Sequence, residues 1–199
     1  RAIFHYIIHN YFFLHYGIVR SKLHKMNRLE DLNDTQAELM AKGLLCSKEV
    51  AKEKLRKIVY DGLKKYFKRI KCYDNVPETF EKFKNAGFKL ALLSDFPPEQ
   101  KGEIWGVKKY CDVVLGTEQL GALKPDAYSF LEMAKMLNVE PSKILYVGNS
   151  KKYDVAGSHN AGMKCAYLVP FRKRLFKKFI KEPEICFSNY RQLQDIVLQ

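Results

Sequence analysis

Apolar positions in the first part of the chain recur at helical spacing, and in the second part they gather into short runs. In "RAIFHYIIHNYFFLHYGIV", Ile3, Phe4, Ile7, Ile8, Tyr11 and Phe12 follow the helical period, which predicts a helix buried on most of its circumference. "DLNDTQAELMAKGLL" offers Asp or Asn caps, an apolar stripe and Gly43 as the closing residue, and "SKEVAKEKLRKIVYDGLKKYFKRI" continues as a long basic amphipathic helical region. No convincing strand falls between Arg1 and about Lys71. After "YDNVPETF" the texture changes. "FKLALLSD", "CDVVLGTE", "ILYVGNS" and "KCAYLVP" are compact apolar runs separated by helical segments, the last of them read as the final strand. Strands alternating with helices predict an α/β fold, a mostly parallel Rossmann-like sheet with helices on both faces and ligands at the carboxyl ends of the strands.

Charge and cysteine usage narrow the setting without choosing a function. A net charge of +13 over 199 residues attracts anions in general, whether phosphate-bearing substrates, nucleic acid or a membrane surface, and lysine-rich surfaces are common in any case. The charge run of the basic helical region reads as a solvated face. Cys46, Cys72, Cys111, Cys165 and Cys186 are widely separated, odd in number and without a CxxC pair, so neither a disulfide framework nor a zinc knuckle is indicated. A reducing cytoplasm is the expected location. The apolar N-terminal stretch is interrupted by His5, His9, Asn10 and His15, which argues against a membrane span. His5 and His9, at i and i+4, lack an accompanying HExxH glutamate or nearby cysteine and read as packing or pocket-lining residues.

Three polar signals fall where strands end. Ser94 closes the run in "LALLSDFPP", and the turn through Pro97 and Pro98 into a helix lets its hydroxyl and neighbouring N–H groups face an anion, although a serine there also serves as an ordinary turn residue. Lys124 in "GALKPDAYSF" precedes Pro125, which suits the first turn of the following helix; a lysine there can neutralise a phosphoryl oxygen and a carboxylate together, or be solvated surface. Asp154 and Asn149 in "ILYVGNSKKYDVAGSHNAGM" supply oxygen ligands of the kind a hard cation such as Mg²⁺ prefers, and Asp154 alone is also a candidate helix cap.

Taken in order, Ser94, the "LKP" at Lys124 and the pattern "VGNSxxxDxxGxxxAGM" resemble the second, third and fourth motifs of the haloacid dehalogenase superfamily. The resemblance is clearest over residues 74–170, with Gly148, Asp154, Gly157, Ala161, Gly162 and Met163 in register. It implies a helical cap domain over residues 1–73, an α/β core over 74–199, and a Mg²⁺-dependent phosphohydrolase working through an aspartyl phosphate on a small phosphorylated metabolite. By that resemblance Ser94 binds the phosphoryl group, Asp95 contributes its backbone N–H to the cradle, Lys124 balances charge, and Asp154 with Asn149 holds the metal. The aromatic residues Tyr6, Tyr11, Phe12, Phe13 and Tyr16 are candidates to line the cap cavity or simply to pack the cap.

The family's first motif, an apolar strand ending DxDx(T/V), has no counterpart here. "EDLNDT" places Asp31 and Asp34 three apart with no strand-like run before them. The chain opens at Arg1 directly in the helical region, so the resemblance implies an upstream segment carrying one strand and the nucleophile, and predicts this chain to be inactive alone. The competing expectation is a non-catalytic relative, to which Asn149 lends weight because the family more often carries Asp there. A third reading is a basic binding protein for nucleic acid or anionic membrane, resting on "FRKRLFKKFIKEP", residues 171–183. Neither nucleic acid nor membrane is the expected partner, and oligomeric state is not legible.

Overall fold

The computed structural model describes residues 2–169 and 183–199, with side chains from residue 10 onward. Residues 170–182, and with them nearly all of the basic 171–183 segment, lie outside the described residues, as do the side chains of His5, Tyr6 and His9.

The first half is helical. Helix α1 (Ala2–Leu23) packs on α2 (Leu32–Leu44), which Asp31 caps by accepting from the Asp34 N–H at 2.8 Å. Ser47 caps α3 (Lys48–Lys54), which runs through a π-helical stretch (Leu55–Asp61) into α4 (Gly62–Phe67). One core cluster joins them: Phe12, Tyr16, Val19 and Leu23 of α1, Leu32, Ala37 and Met40 of α2, and Leu55 and Val59.

Helix α1 and Gly43 both depart from expectation. Among its described side chains α1 is buried along one stripe, not around most of its circumference: Tyr11, Phe13, Leu14 and Ile18 are exposed. Gly43 lies inside α2, and the helix ends at Leu45 in the left-handed region at φ 51°. Close approach explains the glycine, since a Cβ at residue 43 would stand 1.6 Å from the His15 ring nitrogen.

The second half opens with α5 (Val76–Asn85) and, among the described residues, carries five parallel strands in two sheets. β1 (Ala91–Ser94) pairs with β2 (Val113–Gly116), in register Ala91 to Val113. β3 (Leu145–Gly148) pairs with β4 (Lys164–Leu168), and β4 with β5 (Ile185–Phe187). The four expected strands all form. β5 was not anticipated: its three residues carry too little pattern to register, and "KCAYLVP" is therefore not the final strand. Helix α6 (Ala127–Leu137), the short α7 (Ala156–Asn160) and α8 (Tyr190–Val197) complete the described elements. Pro97 and Pro98 lead into a short 3-10 turn, Pro98–Lys101, where a helix was expected. Pro125 stands outside α6, whose cap is Asp126, and the Lys124–Pro125 peptide is cis.

Between the two sheets lies a cavity of about 680 Å³, lined by Leu92 and Leu93 of β1 and Leu145, Tyr146 and Val147 of β3 among other apolar side chains. Parallel strands covered on both faces are normally buried. In β4 four of five residues are buried, whereas every residue of β1 and β3 is only half-buried. Among the described residues, the cavity-side edges of β1 and β3 have no strand partner.

Candidate functional site

The carboxyl ends of β1 and β3, and the loop after β2, bring the expected residues towards one region. β3 ends at Gly148, and the chain turns at once into a tight turn in which Ser150 accepts from the Tyr153 N–H. That turn aims Asp154 back at the strand end. Its Oδ2 accepts from the N–H groups of Asn149 at 3.0 Å and Ser150 at 2.9 Å. A side chain at residue 148 would fill this cradle, since a Cβ there would lie 2.4 Å from Asp154 Cβ. Asp154 is 5% exposed, and its Oδ1 meets Lys124 Nζ at 2.8 Å and the Tyr146 hydroxyl at 3.3 Å.

Lys124 is therefore held from several sides. Its Nζ is 4.0 Å from Asp95 Oδ2 and 3.4 Å from the Tyr146 hydroxyl, while its carbonyl meets His24 Nδ1 at 2.5 Å. The His24 ring, just past the end of α1, stacks on Tyr153 with centroids 4.3 Å apart, so the turn after α1 contributes to the same wall. Burial opposes the ammonium charge, but Tyr146, Asp95 and Asp154 outweigh it and hold the Lys124 pKa above the ordinary lysine value. Burial pushes the Tyr146 hydroxyl up as well. These neighbours favour the charged form of the lysine.

Ser94 ends β1. Its Oγ accepts from Lys101 Nζ at 2.7 Å and from the Phe96 N–H at 3.2 Å. Asp95 ties the loop after β1 to the loop after β2 through its side chain: Oδ1 accepts from Thr117 Oγ1 at 2.9 Å and from the Lys124 N–H at 3.2 Å. Asn149 is exposed, and its backbone N–H rather than its amide holds Asp154. Lys101, Thr117, Tyr146 and His24 escaped sequence reading. Only Tyr146 left a trace, as the polar-tipped residue two before Gly148 on the same strand face.

The residues present do not make a metal site by themselves. Among the described residues no three His, Cys, Asp or Glu side chains gather as a cation would need. Asp154 offers one carboxylate, already engaged by Lys124 and two N–H groups, whereas Mg²⁺ takes about six oxygens in near-octahedral array. Asp31 and Asp34 stand elsewhere, one capping α2 and the other paired with Lys48 and Lys52.

Comparison with known proteins settles the family. A family model described as haloacid dehalogenase-like hydrolase matches residues 3–168. The chain belongs to the haloacid dehalogenase-like hydrolase family. Its similar relatives include a phosphoglycolate phosphatase of Aquifex aeolicus, 30% identical over 126 residues that cover 59% of each chain. Another is a glyceraldehyde 3-phosphate phosphatase of Methanopyrus kandleri, 32% identical over 100 residues, or 49% of this chain and 43% of that one. The chain thus spans only about half the length of these curated relatives. Among solved structures, a 2-haloacid dehalogenase from Pseudomonas syringae pv. Tomato superposes with a TM-score of 0.66 at 21% identity, covering 92% of this chain and 80% of that one. A HAD phosphatase from Thermococcus onnurineus gives 0.61 at 23% identity, over 79% and 84%. At these identities the likeness is one of fold.

Proposed function

We propose that this chain supplies the helical cap, residues 1–73, and most of the α/β core, residues 74–199, of a phosphohydrolase acting on small phosphorylated metabolites. The observation that carries the reading is the buried Lys124–Asp154 pair at 2.8 Å beside the strand end bearing Ser94. Phosphoryl transfer asks the protein mainly for positioning and charge stabilisation, and a fixed lysine beside a strand-end hydroxyl meets that need. Ser94 donates its hydroxyl to a phosphoryl oxygen, Lys124 balances the charge that develops in the transition state, and Asp95 fixes the two loops relative to each other. Asp154 orients Lys124. The phosphatase names of the relatives support a phosphate ester as substrate, with phosphoglycolate and glyceraldehyde 3-phosphate the first compounds to try.

The nucleophile in this reading comes from a strand that fills the gap between β1 and β3. The apolar cavity, the two unpaired edges and the half-buried strands beside it support that placement. Carboxylates brought by that strand would also be needed before Asp154 and Asn149 could serve a Mg²⁺ ion.

The test is phosphate release by the protein extended upstream through its own gene, on a panel of phosphorylated metabolites with and without Mg²⁺. Turnover that falls by orders of magnitude in Lys124→Met, together with none from the 199-residue chain, is the expected result. An upstream reading frame with no strand-like run ending in a carboxylate pair would overturn the reading, as would vigorous turnover by the short chain.

A further inference from the structure

The loop after β1 brings a second lysine to the same strand end. Lys101 closes the 3-10 turn that follows Pro97, and its Nζ donates to Ser94 Oγ at 2.7 Å. On its other side the ammonium stands 5.6 Å from the ring centroid of Phe67, the last residue of α4 in the helical half. Phe67 in turn meets Phe96 edge-on, with centroids 6.3 Å apart.

Two features of this arrangement point to a bound anion. The first is hydrogen-bond direction. A lysine ammonium only donates, and the Phe96 N–H only donates, so Ser94 Oγ accepts twice and its own proton is directed elsewhere, with no acceptor among the described residues. The second is charge. Lys124 has Asp154 at 2.8 Å and Asp95 at 4.0 Å, whereas among the described residues no carboxylate lies within ion-pair distance of Lys101. Burial, and then the neighbouring Lys124, lower the Lys101 pKa, against a weaker pull from Asp95. A half-buried cation beside another cation, sharing a hydroxyl whose proton has nowhere to go, is a donor set without its acceptor.

We infer that Lys101 is a second cationic ligand of the phosphoryl group, binding it jointly with the Ser94 hydroxyl, and that Phe67 covers this ammonium from the helical half. The inference rests on the reading of Ser94 and Lys124 as a phosphoryl site. Two of the three Lys101 protons remain after the bond to Ser94, enough to reach one or two phosphoryl oxygens. Phe67 excludes water from that contact and couples the placement of α4 to the occupied site.

Titration calorimetry of inorganic phosphate into the 199-residue chain tests this without needing turnover. Loss of one charge-assisted contact predicts binding about ten- to a hundred-fold weaker in Lys101→Met. Lys101→Arg should retain most of the affinity. Lys135→Met, on the exposed face of α6, should leave it unchanged. Lys101→Gln keeps a donor for Ser94 without the charge and gives the same reading if the methionine variant does not fold. Wild-type affinity in Lys101→Met or Lys101→Gln overturns the inference and leaves the site reading intact. Equal weakening by Lys135→Met shows diffuse attraction to a basic surface and also overturns it. No binding by the wild type, by contrast, removes the phosphoryl site itself.

Discussion

Replacing Arg20 by methionine should cost more stability than any surface substitution, because Arg20 is the charged tie between the two halves. Its Nη1 lies 2.5 Å from Glu118 Oε1 and 3.2 Å from Gln36 Oε1, and the side chains of the ion pair are 10% and 1% exposed. The Tyr60 hydroxyl donates to the other Glu118 oxygen at 3.0 Å. Arg20→Met preserves the aliphatic stem but leaves Glu118 buried with that one donor. Removing one partner of a buried pair costs about 3 to 5 kcal/mol. At about 2 to 4 °C per kcal/mol for a chain of this size, Tm should fall by roughly 6 to 20 °C.

The pH dependence gives a sharper check. Burial pushes the Glu118 carboxyl above the ordinary glutamate value of 4.5, against the pull of Arg20 and Tyr60. Without Arg20 it rises further. A carboxyl raised in the folded state contributes stability that is fully present below 4.5 and lost as pH rises through its folded pKa. The deficit of Arg20→Met should therefore be largest in mildly alkaline buffer and shrink on acidification towards 4.5. Urea unfolding of wild type and variant across that range, with Arg20→Met/Glu118→Gln as the second step of a cycle, measures it. A deficit below about 1 kcal/mol, the level of an exposed pair, would refute the reasoning. So would a deficit independent of pH, or no recovery in the double variant.

Three further outcomes follow from contacts described above. The Lys124 pKa is raised, so its contribution is fully present below 10.5 and lost as pH climbs through the folded value. Lys124→Met should accordingly flatten the alkaline limb of stability followed by circular dichroism, and an unchanged limb would show that the pairing with Asp154 and Asp95 contributes nothing. Gly148→Ala forces a Cβ to 2.4 Å from that of Asp154 and should cost about 1 to 3 kcal/mol in urea unfolding. Gly43→Ala tests the close approach of α1 and α2: alanine favours a helix interior by about 1 kcal/mol, yet the His15 ring should make the variant less stable than wild type. Stabilisation at the level of helix propensity would mean that His15 moves aside freely.

Sequence reading reached what short-range pattern encodes. The runs ending at Ser94, Gly116, Gly148 and Leu168 are apolar, brief and followed by polar loops, and each is a strand. Asp154 stands out by its place in the pattern that resembles the family's fourth motif, and it lies at the end of β3, held by the Asn149 and Ser150 N–H groups. What escaped depends on partners distant in sequence. Lys101 matters because the turn through Pro97 and Pro98 swings it back onto Ser94, seven residues earlier. Arg20 looks like any charge near a helix end until Glu118, 98 residues away, is placed against it. Gly43 resembles a stop signal, and only the His15 ring shows that it makes room for another helix. The misreading of α1 has a similar origin. Aromatic and aliphatic residues on all sides predict burial on all sides, yet among the described side chains of α1 only Phe12, Tyr16, Val19, Arg20 and Leu23 are buried.

The electrostatics of the strand ends also explain why the two lysines are not redundant. Lys124 is oriented by Asp154, itself fixed by two backbone N–H groups and by a glycine that leaves it room, so its ammonium cannot follow a moving charge. On the proposed phosphohydrolase reading, such a charge serves the step in which negative charge builds up at a defined point. Lys101 is held by a hydroxyl and an aromatic face, both weaker restraints, and it is the cation free to respond when an anion arrives. Substitution should separate the two roles in the extended protein. Lys101→Met should raise KM more than it lowers kcat, and Lys124→Met should lower kcat at little change in KM. If both variants lost kcat alike with KM unchanged, the division of labour between the two lysines would be wrong.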